Sequence, residues 1–512
     1  MNKGAKATIA IVIALAALSR FAFLQMRPPT PDEAINGVVA TGISLKSGYD
    51  YQPTLGHGPV HFYLLAMSQA LLGHNLWSLR VPAVLFGIGT VALMFAFTRF
   101  LSKPAASVAA VVVAISPGFV FVSREAIHES EFAFFTLASF FGVLALMSKP
   151  TTKMVIFTSS SVVGCLLTKE TAVIHLVALL LTMPILLHGN GKGIWSAKQR
   201  WSCDTGGDHE MARFGTHWRG NPKRVAIAAF VACMCSTVVI WFFVTGHGTN
   251  RNGFMHWIHG FVVWKYIGTQ SGEHVKPWYY WFQLMRADEL PLLIGMLAAP
   301  VFLFSTNVYE RSAAAYSLLV FAAYSVIPYK TPWCIISLGV CVPLVFGCLC
   351  ACIGRMRPLV ATCVIVVVLV CSIARMTQLN YWDQSDPREH QVYSATSPDI
   401  SKLVSIMQKQ YHQDSGALEV RGLVFHSKPY PLPWLFSKYQ HVDYYESIQR
   451  DMDMDSGFVF VEAGNVAQFE RSIRVTNYYR IPVQLHLGEL PSVLYLNKGV
   501  FHGGSNGVLP ES

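Results

Sequence analysis

The feature that most constrains this chain is a succession of apolar segments, each close to the length of a bilayer span. The first, Ala7 to Leu24, follows Lys3 and Lys6 and continues past Arg20 without a clear cleavage site, which favours an uncleaved signal anchor over a signal peptide. About 20 apolar residues cross the hydrocarbon of a bilayer. A shorter apolar stretch, 59–73, has histidines within and beside it and is predicted to be an interfacial helix. The remaining candidate spans are 79–100, 105–122, 131–148, 153–169, 171–188, 225–245, 290–306, 312–328, 333–353 and 358–375.

Composition agrees with a protein that is mostly dissolved in lipid. Hydrophobic residues make up 53% of the chain and charged residues 13%, whereas a soluble domain carries about 25% charge. We therefore predict a multi-span α-helical membrane protein with about eleven spans, each of the length that crosses a bilayer. The net charge of +10 is attributed to Lys and Arg on the cytoplasmic side, so no nucleic-acid partner is expected.

The positions of Lys and Arg predict how the chain is oriented. If the N-terminus is cytoplasmic, the inside segments are basic, and the longest of them is the loop 189–224. The outside segments, which include a first outer loop at 26–78, then hold most of the acidic and aromatic residues. We predict a multi-pass protein of the cell (plasma or inner) membrane, with a cytoplasmic N-terminus and an extracytoplasmic C-terminal region.

The chain changes character after Arg375, where polar residues become frequent and apolar runs shorten to strand length. Helix and strand signals alternate there, which is typical of a small α/β domain. The predicted domains are therefore 1–375, polytopic and helical, and 376–512, extracytoplasmic and α/β. The predicted strands are 418–425, 457–462 and 482–487, and the predicted helices are 397–411 and 466–473.

Two adjacent carboxylates, Asp32 and Glu33, follow directly after the first apolar segment. Ionisable residues at a membrane surface often mark functional sites, so both are candidate catalytic residues. A second interpretation is a helix N-terminus, with Thr30 or Asp32 as the N-cap and prolines before it. The two interpretations are compatible, but capping alone does not need the second acid.

Other polar motifs fall on the same predicted outer face. A hydrated turn with an interfacial aromatic residue and a snorkelling lysine would account for each one separately. Together they place carboxylates and cations on one side of the membrane, which suits a substrate with an anionic phosphate and a hydroxyl to be activated. No Walker-type loop, Cys-x-x-Cys or HExxH motif occurs. The motifs are Ser123–Glu125, His128–Glu131, Thr168–Thr171, His274–Tyr280 and Tyr329–Trp333.

This ordered series resembles the GT-C superfamily of membrane glycosyltransferases, which includes the dolichyl-phosphate-mannose and aminoarabinose transferase types. It is most similar to the prokaryotic subfamily of flippase-activity-associated proteins. The second acidic motif departs from that pattern, because Ile127-His128-Glu129 stands where the family usually has an Arg-Asn-Asp-like triplet. The motifs that carry the resemblance are Asp32-Glu33-Ala34, His57-Gly58-Pro59, Ser123-Arg124, Thr168-Lys169-Glu170-Thr171, the segments 274–280, 289–291 and 327–333, and in the tail 387–389, 396–399 and 432–434.

The resemblance implies transfer of a sugar from a polyprenyl phosphate to a hydroxyl on a lipid, glycan or protein at the outer face. By motif position Asp32 would be the general base, with Glu33 supporting it. The implied substrate-orienting residues are His57, Glu129 and Glu170, and the implied lipid-phosphate ligands are Arg124, Lys169, His274, Lys276 and Lys330.

The same resemblance leaves a second function open. The chain could be a non-catalytic partner of a lipid-linked oligosaccharide flippase that binds the carrier lipid, and a flippase or other glycosylation proteins are the implied protein partners. A secondary transporter is disfavoured, because its acids would lie at mid-membrane. No metal ligand is assigned, although the sequence does not exclude a divalent cation as cofactor.

Overall fold

The computed structural model describes residues 3–44, 46–53, 57–187, 222–269, 272, 274–393, 395–413, 418–449 and 452–501. The chain divides into two compact units. The helical unit comprises Met1–Leu24 and Gly42–Trp382, and the C-terminal unit comprises Gln25–Thr41 and Asp383–Ser512. The segment with Asp32 and Glu33, assigned from the sequence to the first domain, is thus part of the C-terminal unit.

Most of the described helices of the helical unit coincide with predicted apolar segments. Prolines at the first or second position of many of them fit the first turn, where the missing N–H has no intrahelical partner. The helices are α1 (Lys3–Phe21), α3 (Pro59–Leu72), α4 (Leu76–Ala96), α5 (Lys103–Ile115), α6 (Pro117–Ser123), α7 (Glu129–Ser148), α8 (Thr152–Leu166), α9 (Ala172–Leu187), α10 (Pro222–Val244), α11 (Gly253–Thr269), α12 (Tyr280–Asp288), α13 (Leu290–Phe302), α14 (Val308–Val326), α15 (Cys334–Gly339), α16 (Val342–Met356) and α17 (Pro358–Thr377), while α2 (Pro31–Thr41) belongs to the C-terminal unit.

Five of the described helices, α1, α4, α7, α10 and α17, are long and apolar enough to cross a membrane. A sixth crossing is formed if α5 and α6 are one span, bent by 57°. The bend lies at Ser116, whose side chain accepts the Phe119 N–H and so starts a new helix before Pro117. The structure is therefore that of a membrane protein with several transmembrane helices, and the total of about eleven spans stays a prediction.

Small residues bring the central helices of this unit close together. At Gly347 of α16 an added Cβ would clash with the backbone carbonyl of Ala105 on α5. Such close approach favours packing between helices where lipid provides no hydrophobic drive for their association. The stretch 59–73 forms a helix as expected, whereas α11 and α12 lie in a segment, 246–289, for which no helix was predicted.

The C-terminal unit contains a five-stranded mixed sheet in the order β2-β1-β3-β5-β4. The first three strands are parallel, and β5 runs antiparallel to both β3 and β4. Alternate residues of the central strands face two separate apolar clusters, with Val424 in one and Leu423 in the other, as the period of two in a strand requires. The elements are β1 (Gly422–Phe425), β2 (Val442–Tyr445), β3 (Phe458–Val461), β4 (Tyr478–Val483), β5 (Ser492–Asn497), α18 (Ile400–Gln413), α19 (Leu432–Leu435) and α20 (Val466–Ser472).

The predicted elements of this unit are present in part. The predicted strands 418–425 and 457–462 contain β1 and β3, but 482–487 overlaps only the last residues of β4, and β2 and β5 were not predicted. The two predicted helices correspond to α18 and α20.

Candidate functional site

In the C-terminal unit, α2 begins with a capping box formed by Thr30 and Glu33. The Thr30 N–H donates to Oε2 of Glu33 over 3.0 Å, and the Glu33 N–H donates to Oγ1 of Thr30 over 3.3 Å. The Glu33 side chain is fully buried, so its carboxylate serves the helix start, and Thr30 rather than Asp32 is the N-cap. Asp32 is half-buried in the first turn.

Contacts within the same unit hold α2 in place. An added Cβ at Gly37 would clash with the indole of Trp434 on α19, which shows how closely the two helices pack. Just before α2, the Pro29 carbonyl accepts a hydrogen bond of 2.7 Å from the hydroxyl of Thr396. The position of Asp32 is therefore set by residues of the C-terminal unit.

In the helical unit, Lys169 and Glu129 form a buried ion pair. Glu129 is the first residue of α7 and is fully buried, and its other oxygen accepts a hydrogen bond of 2.7 Å from Ser337. Burial alone would lower the pKa of Lys169, but the adjacent Cys334 and Glu129 outweigh it and raise that pKa above its ordinary value. Lys169 is therefore charged at neutral pH.

A second buried carboxylate, Glu170, orients His57. Nδ1 of His57 lies 2.6 Å from one Glu170 oxygen, and the Tyr51 hydroxyl donates to the other over 2.7 Å. Burial, and then Glu170, raises the pKa of Tyr51, so this hydroxyl stays a donor. The His57 ring stacks on Trp264 of α11 at 4.4 Å. With its Nδ1 held by the carboxylate and its side chain 19% exposed, His57 can offer Nε2 to a bound molecule.

Two further histidines complete this group. Nδ1 of His61 lies 3.1 Å from Glu131, and the His57 and His128 rings are 4.0 Å apart. Nε2 of His128 is 3.5 Å from Glu129, yet among the described residues it has no partner in hydrogen-bonding geometry. Burial lowers the pKa of His128 well below its ordinary value. We call this group the histidine–carboxylate cluster: His57, His61, His128, Glu129, Glu131, Lys169 and Glu170.

The predicted phosphate ligand Arg124 lies at the end of α1. Its guanidinium donates to the carbonyls of Ser19, Arg20, Ala22 and Phe23 over 2.6–3.3 Å and lies 4.9 Å from the centre of the Tyr381 ring. Carbonyls in the last turn of a helix have no intrahelical donors. These contacts give Arg124 a structural role as the cap of α1, and its role in phosphate binding stays a prediction.

The other predicted cations lie on two paired segments. Val275 and Tyr329 form an antiparallel bridge, and Nζ of Lys330 donates to the carbonyls of Lys276 and Ile327 over 3.2 and 2.5 Å. The Lys330 N–H donates to the His274 carbonyl over 2.9 Å. Lys276 is exposed, whereas burial lowers the pKa of Lys330. The structure thus brings the predicted residues of these two motifs, His274, Lys276 and Lys330, together.

Sequence reasoning missed several members of the site. His61, Glu131 and Trp264 were not among the predicted site residues, although Glu131 follows Glu129 in the first turn of the same apolar helix. Two acids at the start of a helix that is otherwise apolar were the available signal. Among the described residues, no group of three or more His, Cys, Asp or Glu side chains is arranged to hold a metal ion.

The chain matches one family model over part of its length and solved structures over most of it. Residues 56–202 match the family model of dolichyl-phosphate-mannose-protein mannosyltransferase. The structure of ArnT from Cupriavidus metallidurans matches in the apo state with a TM-score of 0.65 and 12% identity, over 98% of this chain and 100% of that one. The ArnT structure bound to undecaprenyl phosphate matches equally well, with a TM-score of 0.65, 11% identity and coverage of 97% and 99%. The chain thus has the GT-C fold of these structures.

A more distant GT-C match is the oligosaccharyltransferase AglB from Archaeoglobus fulgidus, in complex with an inhibitory peptide and a dolichol-phosphate. Its TM-score is 0.51 at 12% identity, over 86% of this chain and 64% of that one. No curated protein matches the sequence. The resemblance to GT-C proteins is confirmed, and the narrower one to flippase-activity-associated proteins stays a prediction. His57, Glu129, Lys169 and Glu170 all lie in the segment 56–202.

Proposed function

We propose that this protein is a membrane glycosyltransferase that moves a sugar from a polyprenyl phosphate to an acceptor hydroxyl at the outer face of the cell membrane. The observation that carries the proposal is the histidine–carboxylate cluster, within a fold shared along almost its whole length with a protein crystallised with undecaprenyl phosphate. Buried ionisable groups in a membrane protein are expensive to maintain and are a mark of function.

The reaction requires a base and a site for phosphate. The acceptor oxygen attacks the anomeric carbon, the bond from that carbon to the phosphate oxygen breaks, and the phosphate keeps the electron pair. We assign Asp32 as the base that takes the acceptor proton, because it is the first acid of the motif that carries the resemblance to GT-C enzymes. Glu33 is assigned a supporting role, since its carboxylate accepts the Thr30 N–H in the capping box. Lys276 is exposed and is assigned to the charge of the phosphate, together with His274 and Lys330.

The histidine–carboxylate cluster is assigned to orienting the substrate. Nε2 of His128 and Nε1 of Trp264 are buried and have no hydrogen-bond partner in the described part of the chain. Buried polar groups without partners are destabilising unless water or a ligand satisfies them. Substrate hydroxyls would supply those partners, and Glu170 would keep the His57 ring in a fixed orientation towards them.

The alternative function is a non-catalytic partner of a flippase that binds the carrier lipid. It predicts that Asp32→Asn has no effect, because binding a lipid phosphate needs cations but no base. Asp32→Asn keeps the size of the side chain and one hydrogen-bonding oxygen, yet it cannot take a proton. We expect turnover to fall by about 10²–10⁴, with the binding of a labelled polyprenyl phosphate unchanged.

The experiment uses the purified full-length protein in detergent with labelled polyprenyl-phosphate sugars and candidate acceptors. The matched control is Glu33→Gln, which perturbs the capping box and should lower stability with a smaller effect on turnover. The double variant is also needed, because neighbouring carboxylates can substitute for one another. Full turnover in the double variant would refute catalysis by this acid pair.

A further inference from the structure

The sheet of the C-terminal unit has a topological switch point at β1, the middle one of three adjacent parallel strands. Its neighbour on one side is β2 and on the other is β3, and all three strands are parallel. In open α/β sheets, ligands bind outside the carboxyl ends of the strands at such a point, because the connections diverge there and leave a crevice. Here the crevice would lie between the segment 426–431 after β1 and the segment 462–465 after β3.

Hydrogen bonds join the segments that follow the three parallel strands. Glu462, directly after β3, accepts from the backbone N–H and the hydroxyl of Ser427, each over 3.0 Å. Asn465 donates to the carbonyl of Glu446, which follows β2, over 3.3 Å. These bonds fix the three segments against one another, so the polar side chains at this edge of the sheet have defined positions. We call this edge the switch-point surface.

The donors on this surface are also held in place. Nδ1 of the buried His426 accepts the backbone N–H of Lys428 over 3.0 Å, which leaves Nε2 to carry the hydrogen. His486 bonds through Nε2 to the Lys428 carbonyl over 3.0 Å, and its ring lies 5.9 Å from that of His426. Tyr444 on β2 is 36% exposed and offers an aromatic ring.

The charges decide which class of ligand fits. Glu446, Glu462 and Glu489 lie on or beside these segments, whose described residues include one lysine, Lys428, with its Nζ 3.9 Å from Glu489. This excess of negative charge disfavours a phosphate or another anion. The described residues contain no group suited to a metal ion. A neutral polyol fits the remaining groups, because its hydroxyls can donate to the carboxylates and accept from Nε2–H of His426, and its C–H faces can lie against a tyrosine ring.

We propose that the switch-point surface binds a neutral saccharide, as a docking site for the sugar chain of the acceptor. The docking role rests on the proposed glycosyltransferase function, whereas the binding of a saccharide to this surface does not. The surface belongs to the same unit as α2, since α19 follows the segment after β1 and its Trp434 packs on Gly37. An acceptor held here is therefore bound by the unit that carries Asp32.

The test is saturation-transfer NMR on the full-length protein in detergent, with maltose, cellobiose and α-mannobiose as probes and inorganic phosphate as a competitor. We expect transfer to at least one disaccharide and no competition by phosphate. Glu462→Gln removes the charge but keeps an oxygen for Ser427, and it should weaken binding at least tenfold. The matched control is Glu470→Gln, a carboxylate of the same unit that bonds to Arg480 and Tyr495 instead, and it should bind as wild type.

A second measurement needs no variant. A diazirine-labelled form of whichever disaccharide binds should cross-link to peptides containing 426–431 or 462–465 in the wild-type protein. Absence of binding by all three sugars, displacement by phosphate, or cross-links confined to the helical unit would overturn the proposal. These outcomes are separate from turnover: a variant with Asp32→Asn should still bind the disaccharide, and a protein that transfers sugar without binding one would refute the docking site alone.

Discussion

Replacing Lys169 by methionine tests whether the buried Lys169–Glu129 ion pair has a structural or a substrate-binding role. Glu129 is fully buried, and its two oxygens are bonded to Lys169 and Ser337. Without the lysine, one buried oxygen loses its charged partner. Breaking a buried ion pair on one side costs about 3–5 kcal/mol, so Lys169→Met should lower the free energy of unfolding by that amount.

The double variant Lys169→Met/Glu129→Gln should recover most of this loss. It removes both charges, and the new amide can still accept from Ser337, so we expect stability within about 1 kcal/mol of wild type, since replacing a whole buried pair is often neutral. Lys149→Met, at the exposed end of α7, is the control and should change stability by less than about 0.5 kcal/mol.

The assay is equilibrium unfolding in mixed micelles, followed by tryptophan fluorescence, together with binding of a labelled polyprenyl phosphate. If Lys169 is a phosphate ligand, the stable double variant should bind the lipid at least tenfold more weakly. Normal binding by that variant would restrict Lys169 to structure. A loss of less than about 1 kcal/mol in the single variant would refute the reasoning on burial, because the expected loss for a broken buried pair is several times larger.

Three further predictions concern other parts of the chain. His128 has a lowered pKa because it is buried, so the unfolded state binds its proton first and stability should fall as pH drops below about 6.5; His128→Gln should reduce that loss in thermal melts from pH 7.5 to 5.5. Gly37→Ala should destabilise the protein by about 1–3 kcal/mol by overpacking against Trp434, and Gly464→Ala, where an added Cβ meets nothing within 4 Å, should not. Reporter fusions at Gly206, outside the described residues, and at Ser456 should fall on opposite sides of the membrane, and the same side would refute the predicted orientation.

The starts of helices were accessible from the sequence because their determinants are local. Thr30, Pro31 and Glu33 stand at the spacing of a capping box, and both proposed uses of this stretch, a helix start and a functional acid, could be stated before any contact was known. In the same way Pro59 marks the start of α3. Such signals depend on a few neighbouring residues and not on the rest of the fold.

The pairing within the site could not be predicted, because it depends on how distant helices pack. Glu129 meets Lys169 across 40 positions, and His57 meets Glu170 across 113. Sequence placed these four residues on one face of the membrane but could not say which carboxylate would orient an imidazole and which would neutralise a lysine. The contacts of Arg124 could not be predicted either. The family resemblance implies that it binds phosphate, which stays a prediction, and the structure adds that it donates to carbonyls at the end of α1.

Other elements were missed because their signals are weak. The sequence of α11 contains His256, His259 and Lys265. These polar residues lower its mean hydropathy relative to that of the predicted spans. Strand β2, with its central residues exposed, lacks the alternation that identifies a half-buried strand. Both carry residues of interest, since Trp264 is on α11 and Tyr444 is on β2.

Lys276 and Lys330 should differ in what their loss does, although both belong to the predicted phosphate site. Lys276 is exposed, so Lys276→Ala should leave stability unchanged. A charge-assisted hydrogen bond contributes about 1.5–3 kcal/mol, and its loss should weaken the binding of a labelled polyprenyl phosphate about ten- to a hundredfold.

Lys330 is 2% exposed and its ammonium holds two carbonyls of the paired segments. Lys330→Ala should therefore lower both the melting temperature and lipid binding, because it frees the segment that carries Lys276. Lys330→Arg keeps the charge, but a planar guanidinium cannot donate to the same two carbonyls in the same geometry, so it should restore binding only in part. If Lys276→Ala binds the lipid normally while Lys330→Ala does not, the phosphate contact belongs to Lys330 itself or to the paired backbone. If both variants bind normally, the carrier phosphate is held elsewhere, and Lys169 with its buried carboxylate partner becomes the first place to look.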